Sequence, residues 1–104
     1  MSVISVYAVF ANADEAERIS RAVVADRLAA CANIVVPVRS IYRWKGEVQT
    51  ADEAAVIFKT TEARADTLIT RIAGLHSYNV PCIESWPVEK VLGSYAAWVE
   101  ECVG

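Results

Sequence analysis

Apolar, β-branched blocks and amphipathic blocks alternate along this chain in the order β-α-β-β-α-β, with one more helix at the end. A single Lys-Gly turn joins the two long central strands, and the 104 residues are enough for one core but not two. These observations predict an α+β protein. The expected fold is a ferredoxin-like βαββαβ sandwich with a long β-hairpin and an extra C-terminal helix, one domain over residues 1–104. Right-handed crossovers place both internal helices on one face of a four-stranded antiparallel sheet.

Each element has its own local reason. Val3–Phe10 carries Val3, Ile4, Val6, Tyr7, Val9 and Phe10, and reads as a strand buried on both faces. Asn12 is placed to cap a helix, with Glu15 at the third helical position of a capping box. That helix is expected to run to about Ala30. Its stripe of Ala16, Ile19, Val23 and Ala30 is interrupted by Arg27, so it packs on one side.

Ala32–Trp44 is the second strand, bent at Pro37, which has no N–H to give the ladder. Beyond the bend, Val38, Ser40, Tyr42 and Trp44 share one face, and Arg39, Ile41 and Arg43 the other. Lys45-Gly46 makes the turn, and the return strand runs from Glu47 to Thr60. Thr61 is placed to cap a second helix with a stripe of Ala65, Leu68, Ile69, Ile72 and His76. Cys82–Pro87 is a short fourth strand, and Ser94 caps a last helix bearing Tyr95, Trp98, Val99 and Cys102.

Composition narrows the function. Hydrophobic residues make up 55% and charged residues 22%, with a mean hydropathy of +0.29. A small domain has much surface for its volume and should be more polar than this. The excess calls for a self-association surface, and the sheet face without helices is the place for it. Net charge is −3 and the pI about 5.1, which argues against nucleic acid or an anionic membrane as partner. No run approaches a membrane span, and no signal peptide is visible at Met1-Ser2-Val3-Ile4-Ser5, so a cytoplasmic location is expected. Cys31, Cys82 and Cys102 are an odd number without paired spacing, which fits a reducing compartment.

The candidate chemistry is sparse. There is no phosphate-cradling glycine loop, no zinc motif and no nucleophile elbow, and no organic cofactor is expected. Cys31, in an Ala-Ala-Cys-Ala-Asn context, reads as a small buried hydrophobe or as a soft ligand. Cys102 reads as core or interface, and Cys82, after Pro81, is open to either role. His76 ends a helix, where a cation suits the dipole. It is also the sole imidazole that can join a thiolate on copper or zinc. A site of that kind would need ligands from more than one chain. The aromatic residues are core and interface, or line a cleft with Glu53 and Lys59, six residues apart on one strand face.

Several segments together resemble the CutA divalent-cation tolerance family. They are Leu28-Ala29-Ala30-Cys31-Ala32-Asn33-Ile34, Ser40-Ile41-Tyr42-Arg43-Trp44-Lys45-Gly46-Glu47, Glu53 with Lys59-Thr60, His76-Ser77-Tyr78-Asn79-Val80-Pro81, and Gly93, Tyr95 and Trp98. The likeness runs in order over essentially the whole chain. It implies a homotrimer built through the hairpin, similar to the PII signalling proteins, a link to copper tolerance, and no enzymatic activity. Cys31 and His76 match the family's cysteine and histidine. Phe10 stands where some members have a cysteine ligand. Ser77, Asn79 and Cys82 replace a proline and two glutamates, which favours a softer metal such as Cu(I) or zinc.

The expected metal ligands are therefore Cys31, His76 and Cys82. The competing expectation is a PII-like signalling or scaffold module with an unknown protein or small-molecule partner. Its cleft between subunits would be lined by Trp44, Glu53, Lys59, Tyr78 and Trp98. A cysteine-dependent enzyme is the third and least supported reading.

Overall fold

The computed structural model describes residues 2–104. Its elements are β1 (Val3–Phe10), α1 (Ala13–Ala25), β2 (Cys31–Trp44), β3 (Glu47–Thr61), α2 (Glu62–Leu75), β4 (Ile83–Pro87) and α3 (Gly93–Val103). The four strands form one antiparallel sheet in the order β2-β3-β1-β4. This is the predicted α+β sandwich.

Strand alternation sorts the side chains. Ile4, Val6, Ala8 and Phe10 of β1 point to the same side as Ala54, Val56 and Phe58 of β3. They pack under Ala16, Ile19 and Val23 of α1 and Ala65, Leu68 and Ile72 of α2, forming the main core. The two helices thus cover one face, as the crossover rule requires. On the opposite face, α3 covers only one end. Val99 and Val103 bury Val3 and Ala30 there in a small second cluster.

α1 stops at Ala25, five residues before the expected end at Ala30. The Leu28 N–H donates to the Val23 carbonyl at 3.0 Å and the Arg27 N–H to that of Val24 at 3.1 Å. Arg27 takes a left-handed φ of 61°. This is a Schellman ending with Arg27 where glycine is usual, so no glycine signals it in the sequence. The strain at Arg27 is offset by distant contacts. Its Nη2 donates to the carbonyls of Glu101 (3.1 Å) and Gly104 (3.3 Å), and Arg64 Nε donates to that of Val103 (2.9 Å). Two cations thereby close the C-terminus of α3.

Two predicted caps differ in detail. Thr61 sits at the N-cap of α2, but its side chain makes no capping bond. The Glu62 N–H donates instead to the Ser2 carbonyl at 3.0 Å. Leu92 rather than Ser94 precedes α3, and Ser94 lies inside its first turn.

The β2–β3 ladder shifts register between Val35 and Val38, around Pro37, and then runs to Trp44 opposite Glu47. Lys45 and Gly46 take φ of 50° and 82°, the paired positive values of a two-residue hairpin turn. β1 pairs with β3 only over Ala54–Thr61. Residues 38–53 therefore form a two-stranded ribbon, and the subunit measures 45 × 25 × 21 Å. Ile41 is 70%, Val48 66% and Trp44 48% exposed along it.

Replacing Arg27 separates strain from contact. R27A keeps the strained backbone and loses the bonds to α3, whereas R27G loses the bonds and relieves the strain. R27G is expected to be the more stable by about 1 kcal/mol in urea unfolding. Equal stabilities would show that a Cβ at this position costs nothing.

Candidate functional site

The face of the sheet away from α1 and α2 carries the candidate residues. The ladders align Cys31, Lys59, Ser5 and Trp86 in one row, and Asn33, Ile57, Tyr7 and Glu84 in the next. Val35, Ala55 and Val9 follow, and then Val38 and Glu53 at the root of the ribbon.

Cys31 begins β2 at the α3 end. Its Sγ lies 3.4 Å from Tyr95 Oη. That contact, then burial, then the fields of Cys31 and Cys102 push the Tyr95 hydroxyl up to about 12. Tyr95 is itself tilted against Trp98, with ring centroids 5.6 Å apart. Cys102 packs against the small cluster under α3, as its core reading expects.

His76 and Cys82 lie at the other end of the sheet. The Cys82 carbonyl accepts from the Val9 N–H at 3.2 Å. From Ser5 in the Cys31 row to Val9 is four strand residues, about 13 Å. His76 follows α2 and stacks on Phe10, with centroids 4.9 Å apart. The Tyr78 N–H donates to its Nδ1 at 3.0 Å. The ring proton therefore sits on Nε2, where it donates to the Val9 carbonyl at 2.7 Å. Both nitrogens are engaged, so a metal at either one must displace a backbone bond.

Among the described residues no group of three or more His, Cys, Asp or Glu side chains is placed to hold a metal ion. The donors of one chain do not by themselves make a metal centre.

The residues that do converge are partly unexpected. Tyr78 Oη donates to Glu53 Oε2 at 2.7 Å, joining two of the predicted cleft residues. Tyr7 stacks on Trp86 at 5.0 Å and 17°, and Trp86 Nε1 donates to Glu84. Burial first, and then Glu84 and Glu53, push the Cys82 thiol up. Burial, then Cys82 and the same two carboxylates, raise Tyr7. Burial and the bond to Glu53 raise Tyr78 strongly.

Sequence reasoning missed Tyr7 and Glu84, and named Trp86 only among the aromatic residues of core, interface or cleft. The available signal was alternation: odd positions of β1 and even positions of β4 share the uncovered face. Of the other cleft residues, Lys59 stands in the Cys31 row, Trp98 on α3, and Trp44 at the tip of the ribbon. One chain does not bring these five to one place.

Glu15 holds the turn that carries His76 and Tyr78. Only 8% exposed, it takes the expected N–H bond into Asn12 Oδ1 at 2.9 Å. Its carboxylate then accepts from the N–H groups of Ala11 (3.2 Å) and Ser77 (3.0 Å). Burial works to raise its pKa, but the bonds from Ser77 and Ala11 and the nearby His76 outweigh burial and hold it below its ordinary value.

A carboxylate with a depressed folded pKa stabilises above the unfolded value and loses that contribution as pH falls through the folded one. E15Q is expected to cost about 1 kcal/mol at neutral pH. The gap to the parent protein should close below about pH 4, the ordinary range for a glutamate. A gap independent of pH would overturn the assignment. A second check concerns the thiol. Alkylation of Cys82 should reach half its maximal rate above the ordinary thiol pKa of about 8.5, and E84Q should move that midpoint down.

Comparison with known proteins agrees with this architecture. A family model described as CutA1 divalent ion tolerance protein matches residues 4–102. The divalent-cation tolerance protein CutA of Thermotoga maritima is 42% identical over 100 residues, covering 96% of this chain and 98% of that protein. Its Archaeoglobus fulgidus counterpart is 35% identical over 98 residues, covering 94% and 95%. The crystal structure of CutA from Xylella fastidiosa superposes with a TM-score of 0.97 at 31% identity, covering all of both chains. The chain belongs to the CutA1 divalent-ion tolerance family.

Proposed function

We propose that this protein is a homotrimeric, non-catalytic divalent-cation tolerance protein that binds copper, or a similar soft or borderline ion such as zinc. Its donors come from more than one copy. The observation that carries this reading is the uncovered sheet face continued by a projecting ribbon. Among the described residues, 38–53 have only each other as strand partners, and an isolated two-stranded ribbon is marginal in water. The trimeric count follows the likeness to PII-type assemblies. Cys82, exposed on that face, supplies a soft donor, and Cys31 and His76 supply the others.

Three free thiols support a reducing compartment such as the cytoplasm. No helix among the described residues is long and apolar enough to cross a membrane.

A second reading is favoured by the Tyr78–Glu53 bond. In it the assembly is a PII-like module, and a small molecule or protein occupies a cleft between subunits formed by Trp44, Glu53, Lys59, Tyr78 and Trp98.

Light scattering should return three times the 11.4 kDa subunit mass. A single-subunit mass at high concentration would sink the assembly. A competitive Cu(I) and Zn(II) titration should give binding at or below about micromolar, near −8 kcal/mol. C31S, C82S and H76A should each weaken it at least about tenfold. Weak binding that ignores all three substitutions would make tolerance indirect and leave the second reading.

A further inference from the structure

A lysine drawn partly out of water calls for a counter-charge. Lys45 and Lys90 stand exposed, whereas Lys59 is half-buried. It lies within the sheet on β3, with Cys31 of β2 on one side and Ser5 of β1 on the other. The Ala30 N–H donates to its carbonyl at 2.8 Å, which ties it beside the small cluster under α3. Lys59 belongs to no ion pair among the described residues.

The groups around Lys59 have protons to give and no negative charge to receive them. Ser5, only 7% exposed, brings a hydroxyl to the same row. The Cys31 thiol and the Tyr95 hydroxyl lie 3.4 Å apart and carry a proton each. One proton bridges the pair, and the other is left to give. Tyr95 keeps its proton at neutral pH, because its hydroxyl is pushed up to about 12. Among the strand residues of this face, the nearest carboxylate is that of Glu84, two strands across and one row along. That is about 12 Å between backbones. Glu84 already accepts from Trp86. The edges of the row are aromatic and open to solvent. Trp86 is 41% exposed on β4, and Trp98, tilted against Tyr95, is 43% exposed on α3.

We propose that Lys59, with the Ser5 and Tyr95 hydroxyls, forms a binding site for a small organic monocarboxylate. The Lys59 ammonium pairs with the carboxylate, and the two hydroxyls donate to its oxygens. One cation matches one negative charge, so a monoanion suits the site better than a phosphate dianion. The apolar body of the ligand lies against Trp86. This rests on the cleft reading above, to which Lys59 belongs, and names the class of its ligand.

Titration calorimetry of the parent protein with four probes tests the site. Phenylacetate should bind saturably. Phenylacetamide, the neutral analogue, should bind at least about tenfold more weakly, as loss of a charge-assisted hydrogen bond requires. K59M should weaken phenylacetate by at least about the same factor, and Y95F by less. Inorganic phosphate that binds as well as phenylacetate would overturn the choice of a carboxylate.

K59M changes a half-buried position and carries a folding risk, so the parent protein supplies a second readout. Acetylation of Lys59 by an activated ester, followed by peptide mass, should slow when phenylacetate is present. Lys45 and Lys90 should react at unchanged rates. Phenylacetate binding that leaves Lys59 unprotected, or that survives K59M undiminished, would show this site to be wrong. The fourth probe, phenethylamine, separates the two readings. If it binds and phenylacetate does not, and E53Q abolishes its binding, the cleft stands and the ligand class falls. If neither probe binds, both fall.

Discussion

A four-stranded sheet has two faces, and this chain supplies full helical cover for one. The main core depends on that asymmetry. Phe10, Phe58, Val6 and Val56 can be fully buried because α1 and α2 lie together over them. The same arrangement leaves α3 to cover one end of the other face with two valines. Everything unusual about the molecule follows from the remainder of that second face: its aromatic rings, its carboxylates, its exposed thiol and its hydropathy.

The fold was legible because its signals are local and periodic. The stripe Ala65, Leu68 and Ile72 is buried as its spacing requires, and Lys45-Gly46 turns where a positive φ is needed. Pro37 disturbs the ladder where its missing N–H predicts. The end of α1 was not legible because Arg27 does a glycine's work. What stabilises it there is a pair of carbonyls more than seventy residues away. A sequence window cannot contain such a contact.

The site was legible only in part. Glu53 and Tyr78 were singled out and meet at 2.7 Å, although they lie on different elements. Cys31 and Cys82 carry the right chemistry but sit at opposite ends of the sheet, a separation that depends on strand register rather than residue type. His76 shows the limit most clearly. Its position was marked by the sequence, but the engagement of both ring nitrogens depends on the backbone of Tyr78 and Val9. Glu15, named as a cap, also fixes the turn that presents these residues. A helix start and a candidate site thus share one carboxylate.

The register shift at Pro37 sets a parity. Between Val35 and Val38, β2 advances three residues while β3 moves back two, from Ala55 to Glu53. The extra residue puts Tyr42 and Trp44 on the same side as Cys31 and Asn33. Loss of one residue there, by a three-nucleotide deletion, would make the ladder regular and leave the outer pairing, the turn and both aromatic rings where they are. Straightening the segment at its present length would instead slip β2 by one residue, set Val38 opposite Asp52, and let Ile41 and Arg43 replace the two aromatic rings. In a lineage of such chains, one residue could therefore be lost from this segment without turning the ribbon over, whereas a substitution that irons out the irregularity could not be tolerated so easily.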